Sequence, residues 1–594
     1  MKPASLRIGC ASGFWGDTEY AAAQLVTRGN IDVLVFDYLA EVTMSLLIRV
    51  KAKDPNAGFA PDFVTTLKPL LKEIKARGIK VVSNAGGVNP AACREALARA
   101  AQAEGVELKI AAVLGDDLLP QTESARGEGT REMFSGQAMP ARIMSANAYL
   151  GAFPIAAALE AGADIVVTGR CVDSAVVLGP LIQAFGWKQH DYDQLAQGSL
   201  AGHIIECGAQ CTGGNYTDWH LVKGWDDMGF PIADCSPDGS FVIEKPAGSG
   251  GLIVPSTVGE QMVYEIGDPR AYLLPDVNCD FTQVTLEQVG EQRVRVAGAR
   301  GSAPTPHCKV SATYLDGFRA TAMFMIGGID ASTKGTRTAE ALLARCRRLF
   351  AERSLGDFSE TSIEVLGAEA TYGPHVRVQP REVMVKIGAR HPNKDALDIF
   401  SREMAPMALA TSPGITGFLG GRPKVQPVVR LFSYLWPKSM IPVRLELDGQ
   451  DLACPQMSGL PFDPAKLPDI GGPLPAAAAF ADGTRLVPLV QLAYGRSGDK
   501  GDSANIGILA RKADYLPYIR AALTADAVAK WFAHRAEGPV HRWDMPGVLG
   551  LNFLLEKALG GGGMASIRID PQGKAYAQML LDFPVPVPAG LVTE

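Results

Sequence analysis

Glycines, hydroxyl side chains and carboxylates follow each of five apolar segments in the first 190 residues. In an open α/β sheet the loops after parallel strands meet at one edge, where ligands usually bind. Helix N-termini at that edge offer free N–H groups and a positive dipole, so they can bind an anion without a net basic protein. One such loop alone is equally compatible with ordinary turns and helix caps, but five together favour a binding site.

The carboxylates at this predicted edge are candidates for acid–base chemistry. The candidate catalytic residues are Asp37, Glu41, Asp116 and Asp117. The candidate substrate-binding or anion-binding residues at the same edge are Ser12, Gly13, Gly16, Asn84, Gly86, Gly87, Arg170 and Asp173.

A glycine-dense segment near the C-terminus, GRSGDKGDSANIG (495–507), is predicted to be a loop. Consecutive N–H groups in such a loop can form an anion-binding nest, with charge supplied by an embedded lysine. Lys500, Ser503 and Asn505 are therefore added to the candidate anion-binding residues. A turn that caps itself with these side chains is the alternative.

His203, Cys207 and Cys211 are spaced four apart, so on a helix they would form one stripe of possible zinc ligands. Buried cysteines more often pack against a sheet, so no metal is expected and these three remain weak candidates. Glu206 lies off the stripe and could face the sheet edge as an acid or a base.

Nucleotide-binding motifs are weak or missing. Gly9, Gly13 and Gly16 do not have the G-x-G-x-x-G spacing, although Asp37 ends the second predicted strand as a ribose-binding acid would. The sequence contains no P-loop motif and no G-x-S-x-G nucleophile elbow. An NAD-linked enzyme remains an open alternative.

The elements that position these side chains predict an α/β fold. Apolar runs of four to eight residues alternate with helical stretches up to about residue 190, which is typical of a mostly parallel sheet flanked by helices. The later order of strands and helices indicates α+β, ferredoxin-like regions, with a helix expected over 546–558 and a strand over 575–583 near the C-terminus. The predicted divisions are an α/β main domain (1–300), an α+β second part (301–453), a Pro/Gly/Ala-rich linker (454–482) and a C-terminal ferredoxin-like domain (483–594).

Composition narrows the functional class. The chain has 594 residues, with 57 Lys and Arg against 63 Asp and Glu, so it offers no excess basic charge for nucleic acid. Ten scattered cysteines without a C-x-x-C pair are typical of a reducing compartment. No signal peptide or 18-residue apolar run is present, so a cytoplasmic protein without a membrane partner is expected.

Several segments resemble the acyclic terpene utilisation protein A family over nearly the whole chain. They are IGCASGFWGD, DYLAE, SNAGGVNP, LGDDL, GADIVVTGRCVDSA, ECGAQCTGGNY and GRSGDKGDSANIG. The resemblance implies a main domain to about residue 450 followed by a small ferredoxin-like domain. It also implies a role beside acyl-CoA carboxylases and enoyl-CoA hydratases that degrade citronellol- or geraniol-type terpenes or other branched acids as CoA thioesters. It assigns no catalytic residue.

The resulting hypothesis is an enzyme acting on a branched acyl-CoA thioester, as a lyase or hydratase with carboxylate acid–base chemistry. A carboxylate would remove a proton next to the thioester carbonyl while N–H donors hold the enolate oxygen. CoA enters only as part of the substrate, and no other cofactor is predicted. The alternative is a non-catalytic scaffold that assembles pathway enzymes, and a homo-oligomer is expected in either case.

Overall fold

The structure is a computed structural model that describes residues 3–418, 420–470 and 484–592. The strands of the first 302 residues are β1 (Leu6–Cys10), β2 (Val33–Phe36), β3 (Lys80–Ser83), β4 (Ile110–Leu114), β5 (Ser145–Ala148), β6 (Ile165–Thr168), β7 (Ile232–Cys235), β8 (Phe241–Glu244), β9 (Tyr272–Leu273), β10 (Asn278–Asp280), β11 (Thr285–Gly290), β12 (Arg293–Ala297) and β13 (Arg300–Ser302). The helices of this region are α1 (Tyr20–Arg28), α2 (Glu41–Lys51), α3 (Pro61–Leu67), α4 (Leu71–Arg77), α5 (Pro90–Glu104), α6 (Thr122–Gly127), α7 (Phe153–Glu160), α8 (Ala175–Phe185), α9 (Tyr192–Ile205) and α10 (Pro255–Met262).

Two further regions follow along the chain. The middle region contains β14 (His307–Gly327), α11 (Ala331–Glu352), β15 (Glu360–Leu366), β16 (Glu382–His391), α12 (Lys394–Glu403), α13 (Met407–Ala410), β17 (Ile415–Thr416), β18 (Gln426–Pro437), β19 (Arg444–Leu447) and β20 (Gln450–Leu452). The C-terminal region contains β21 (Thr484–Pro488), β22 (Ala493–Lys500), β23 (Ser503–Ala510), α14 (Leu516–Ala522), α15 (Ala525–Trp531), β24 (Val540–Met545), β25 (Gly550–Leu555), α16 (Gly562–Ala565), α17 (Tyr576–Leu581) and β26 (Pro584–Pro588).

The large main sheet has a parallel centre, as the apolar runs predicted. Its strand order is β11-β12-β8-β7-β1-β2-β3-β6-β4-β19-β20, and β1, β2, β3, β6 and β4 pair in parallel. The residues of β2 and β6 are all buried, because helices cover both faces of a parallel sheet. The carboxyl ends of these central strands meet at one edge, called here the sheet rim.

A second sheet is antiparallel and is covered by α11 and α12. Its order is β15-β16-β14-β17, and the long strand β14 also pairs with β18 and β5. Strands cross the boundary expected at residue 300, since β5 joins this second sheet and β19 joins β4 of the main sheet. The two regions therefore share their sheets.

The C-terminal region has its own antiparallel sheet, β22-β23-β25-β24, and its own hydrophobic core. Three local predictions here are wrong. The segment 495–507 is not a loop but lies within the β22–β23 hairpin, whose turn is at Gly501 and Asp502. The segment 546–558, expected as a helix, contains β25, and 575–583, expected as a strand, contains α17. Both segments are short and mostly buried, so their hydrophobic period is not visible in the sequence.

The predicted linker 454–482 lies partly outside the described residues, which end at 470 and resume at 484. Its described part has one 3-10 turn, Pro464–Lys466. Within the described ranges, the helices are all too short or too polar to cross a membrane.

Candidate functional site

Three acidic side chains from separate segments converge at the sheet rim. Asp37 directly follows β2, Asp173 lies in the loop after β6, and Glu206 directly follows α9. One carboxylate oxygen from each lies within 4.8 Å of the other two, and we call these residues the acidic trio. Asp37 and Glu206 are buried, whereas the Asp173 side chain is 38% exposed, so the cluster faces solvent through Asp173.

The position of Glu206 depends on a close backbone contact with the first rim loop. A Cβ atom at Gly13 would lie 3.0 Å from the backbone of Cys207, the residue after Glu206. Glycine at position 13 therefore allows the loop after β1 to pack directly against the end of α9. This contact places Glu206 beside residues that follow β2 and β6.

Burial and nearby carboxylates govern the protonation of Asp37 and Glu206. Burial, together with the charges of Asp173 and Glu206, raises the pKa of Asp37 well above its ordinary range, although Asn84 donates a hydrogen bond of 2.5 Å to Asp37 Oδ1. Burial and the charges of Asp173 and Glu265 likewise raise the pKa of Glu206 well above its ordinary range. Like charges in a low-dielectric site disfavour simultaneous ionisation.

Arg170 and Lys309 form a cationic side next to the trio. Arg170 is 3% exposed, donates to Asp173 Oδ1 at 2.7 Å and lies 4.1 Å from the Tyr149 ring centroid. Lys309, on β14, has its Nζ 3.4 Å from Glu41 Oε1, and the Tyr149 hydroxyl donates to the same oxygen at 2.6 Å. Burial alone would raise the pKa of Glu41, but Lys309, Arg170 and Tyr149 outweigh it and lower the pKa to about 2. Glu41 is thus held as a charged carboxylate.

Lys500 reaches the site from the end of β22, in the C-terminal region. Its Nζ lies 5.0 Å from the Tyr272 ring centroid, and among the described residues it has no hydrogen bond and no ion pair. Burial lowers the pKa of Lys500; the carboxylates Glu265, Glu206 and Asp173 oppose this effect, and Lys309 adds to it. The amine is therefore uncharged more often than that of an exposed lysine.

A narrow polar cleft adjoins the cationic side. Its lining comprises Glu41, Met44, Ser145, Asn147, Arg170, Ser311 and Thr313. The Oγ of Ser311 and the Nε of Arg170 are buried without a hydrogen-bond partner among the described residues. Two polar groups in the cleft are therefore left to bind oxygen atoms of a ligand.

The structure brings together Asp37, Glu41, Asn84, Arg170, Asp173 and Lys500 among the sequence-predicted residues. Ser12 lies beside them and donates to the backbone carbonyl of Asp37 at 3.2 Å. Asp116 is buried beneath the rim, where it accepts hydrogen bonds of 2.9 Å from the Arg170 backbone N–H and from Asn147. Burial raises the pKa of Asp116 to about 6. Asp117 is exposed and caps the N–H of Leu119.

Three of the predicted rim glycines face protein backbone. Besides Gly13, a Cβ at Gly86 would lie 2.5 Å from the Thr168 carbonyl oxygen, and one at Gly87 would lie 2.8 Å from that of Gly58. Gly16 has a φ of +101°, a left-handed conformation that favours glycine, and its surroundings are open. The contacts of Gly13, Gly86 and Gly87 show close packing of loops, and a role of the four glycines in anion binding stays a prediction.

Of the three residues predicted in the late segment, Lys500 lies at this site. Ser503 begins β23 next to the hairpin turn. Asn505 is fully buried, accepts from the Glu265 N–H at 2.7 Å and donates to Asn552 Oδ1 at 2.5 Å. Asn505 therefore joins the C-terminal region to the main one.

His203, Cys207 and Cys211 do not form the predicted metal-binding stripe. Helix α9 ends at Ile205, so the two cysteines lie beyond it. Within the described part of the chain, the one cluster of possible ligand atoms is the acidic trio. His203 instead has its Nε2 3.1 Å from the Met262 carbonyl oxygen and its Nδ1 3.2 Å from Glu206 Oε1.

Sequence reasoning missed the residues that come from outside the rim loops. Lys309, Ser311 and Thr313 lie on β14, and Tyr149 and Tyr272 come from two other segments. The side chains of β14 and of Tyr149, which follows β5, reach the site because β14 pairs with β5 in the second sheet, whereas Tyr272 lies on β9 of a separate three-stranded sheet. No local pattern could indicate that pairing, since it joins strands more than 150 residues apart.

Comparison with protein-family models matches residues 6–447 to the acyclic terpene utilisation family protein AtuA and residues 487–586 to the AtuA ferredoxin-like domain. The same comparison made with curated proteins and with solved structures gave no match. The two family matches together cover both regions that build the site. The chain therefore belongs to the acyclic terpene utilisation family AtuA and carries that family's ferredoxin-like domain at its C-terminal end.

Proposed function

We propose that this protein is an enzyme of acyclic terpene or branched-acid catabolism that acts on an acyl-CoA thioester as a lyase or hydratase. One observation supports this proposal above the others. The unpaired amine of Lys500, the acidic trio and the Arg170 guanidinium all meet at the rim of a parallel sheet. Such a mixture of unpaired base, buried acids and fixed cations is suited to moving a proton and stabilising the anion that results.

In this proposal Lys500 removes a proton from the carbon next to the thioester carbonyl. An uncharged amine can accept that proton, and burial keeps a larger fraction of Lys500 uncharged. The negative charge that develops on the thioester oxygen is stabilised by the positive charges of the Arg170 guanidinium and of Lys309. The hydroxyl group on the next carbon then takes this proton from the Lys500 ammonium and leaves as water, which completes the elimination, and the reverse sequence adds water.

In this proposal the polar cleft binds an oxygen-bearing group of the substrate. Arg170 Nε and Ser311 Oγ are buried donors that lack a partner among the described residues. A carboxylate or hydroxyl on a branched acyl chain would satisfy both, which removes the cost of leaving them unpaired. Glu41 stays charged and holds Lys309 in place through a 3.4 Å contact.

Binding of CoA esters is the first test. The purified protein is heated with CoA, with a saturated acyl-CoA and with a branched unsaturated acyl-CoA, and its melting temperature is recorded. The branched ester should raise it most, because a ligand that binds only the folded state stabilises that state. A flat response to all three, with co-purification of another pathway enzyme, would instead favour the scaffold alternative, and stabilisation by NAD would favour an NAD-linked enzyme.

Proton removal is the second test. The protein is incubated with the bound ester in D₂O, and deuterium at the carbon next to the carbonyl is measured by mass spectrometry. Wild type should incorporate deuterium and Lys500→Met should not. Lys530→Met, which removes an exposed lysine on α15 of the same C-terminal region, serves as the matched control. Equal incorporation by Lys500→Met and wild type would contradict the assignment of Lys500 as the base.

A further inference from the structure

We infer that the acidic trio binds a divalent cation of the Mg²⁺ or Mn²⁺ class. The inference deepens the proposed function, on which its catalytic meaning rests, but the binding itself needs no substrate. Asp37, Asp173 and Glu206 each offer one oxygen within 4.8 Å of the others. Oxygen ligands of one Mg²⁺ ion, at about 2.0 to 2.1 Å, lie at most about 4.2 Å apart, so the three oxygens, all within 4.8 Å of one another, need only a small adjustment to share an ion.

In the part of the chain that the structure describes, only one of the three carboxylates of the trio forms an ion pair with a lysine or arginine. Arg170 pairs with Asp173, at 2.7 Å. Asp37 has no ion pair with a lysine or arginine there, and the one ion pair of the Glu206 carboxylate is with the imidazole of His203. Two buried carboxylates without a cation are costly, and a divalent ion has the charge that offsets them.

His203 gives a second observation at the trio. Its ring is 1% exposed, and its two nitrogens face oxygen atoms of Met262, at 3.1 Å, and Glu206, at 3.2 Å. A neutral imidazole has a single N–H, so it can donate to only one of these oxygens. The Nδ1 atom, on the Glu206 side, makes no hydrogen bond among the described residues. A buried nitrogen that lies 3.2 Å from Glu206 Oε1 without a hydrogen bond thus faces the trio.

The chemistry of the ligands selects the class of ion. Carboxylate oxygens suit hard cations such as Mg²⁺ and Mn²⁺, whereas soft ions prefer sulfur ligands. Cys207 and Cys211 lie close in sequence but do not join the ligand cluster of the described chain. An ion held at the trio would supply charge stabilisation next to the amine of Lys500, and open coordination positions would face solvent on the side of the half-exposed Asp173.

Titration of metal-free protein with MnCl₂ tests this inference. The protein is treated with a chelator and desalted, and the signal of unbound Mn²⁺ is followed by electron paramagnetic resonance. Wild type should bind one equivalent, Mg²⁺ should displace it, and both ions should raise the melting temperature. Asp173→Asn should weaken binding at least tenfold. Asp117→Asn, which removes an exposed rim carboxylate outside the trio, should bind as wild type does.

Glu206→Gln is the second variant, in case Asp173→Asn does not fold, and circular dichroism verifies both. The inference is overturned if wild type binds neither ion at millimolar concentration, if it binds only Ca²⁺, or if both trio variants bind Mn²⁺ as tightly as Asp117→Asn does. No substrate enters this titration, and binding of CoA esters is measured separately with chelator present. Failure of the metal site is therefore distinguishable from failure of the proposed reaction.

Discussion

Replacing Asn505 with alanine should loosen the contact between the C-terminal region and the main one. Asn505 is fully buried, and its side chain accepts a hydrogen bond of 2.7 Å from the Glu265 N–H. It also donates at 2.5 Å to Asn552 Oδ1. Asn552 in turn donates to the Gly267 carbonyl at 2.6 Å, so the two asparagines fasten β23 and β25 to residues 265–267.

The size of the effect follows from the two groups that alanine would leave without a partner. These are the Glu265 N–H and the Asn552 side-chain carbonyl, both in contact with a side chain that has no solvent exposure. A buried polar group that loses its partner costs about 1–3 kcal/mol, so the two groups together should weaken the contact between the two regions by about 2–6 kcal/mol. Even about 2 kcal/mol changes an equilibrium roughly 30-fold.

Hydrogen exchange followed by mass spectrometry measures this change at the contact itself. The Glu265 amide should exchange at least about 30-fold faster in Asn505→Ala than in wild type, because local opening becomes easier. Asn56→Ala, at an exposed asparagine, is the control and should leave the exchange unchanged. Adding Asn552→Ala to Asn505→Ala should cost less than the two single effects summed, since the pair shares one network.

The refuting result is specific. If Asn505→Ala leaves the Glu265 amide as protected as in wild type but weakens binding of the CoA ester, Asn505 contacts the ligand and does not hold the two regions together.

Three other predictions concern single side chains. Lys500→Met should lower turnover about 10²–10⁴-fold. In wild type the rate of deuterium incorporation should rise with pH as Lys500 loses its proton, at a pKa that burial lowers below the ordinary range against the opposing charges of Glu265, Glu206 and Asp173. A Lys500→Met protein that keeps this rise would contradict the role of Lys500 as the base. Asp116 has a pKa of about 6 in the folded protein, so the folded state binds this proton more tightly than the unfolded state does. The free energy of unfolding should therefore fall by about 3 kcal/mol as pH rises from about 4 to 6. Between pH 4.5 and 7 the melting temperature of Asp116→Asn should fall less than that of wild type, and an equal fall would exclude Asp116 as the cause. Lys386→Met should destabilise the folded protein by about 3–5 kcal/mol, because it leaves Glu364 as an unpaired buried charge. In wild type the Glu364 carboxylate lies 2.6 Å from Lys386 Nζ and its side chain is 9% exposed. Calorimetry should find the double variant Lys386→Met, Glu364→Gln more stable than Lys386→Met alone, and the opposite order would refute this account.

Local sequence patterns were sufficient for the rim of the main sheet. The apolar runs before Asp37, Asn84 and Arg170 are parallel strands, and the polar residues that follow them gather at one edge. Strand direction alone forces this arrangement, since parallel strands end on the same side. The family motifs were equally visible, because they are contiguous in the chain.

Patterns failed where both faces of a short element are buried. The segment containing Lys500 and Asn505 was expected as a glycine-rich loop, yet it pairs over its length as a hairpin. Its polar side chains face partners in the main region, as the contact of Asn505 with Glu265 shows. Alternation of apolar and polar residues does not reveal a strand whose outward face is also buried, here against another region of the chain.

The sequence by itself determined the family, the parallel centre of the main sheet and the position of Asp37, Arg170 and Asp173 near one edge. Only the tertiary structure decided that Glu206 and Lys500 join them, from the end of a helix and from the C-terminal region. The physical reason is the range of the interactions. Strand direction and apolar period act between near neighbours in the chain, whereas the packing of Gly13 on Cys207 and the burial of Asn505 join segments almost 200 residues or more apart.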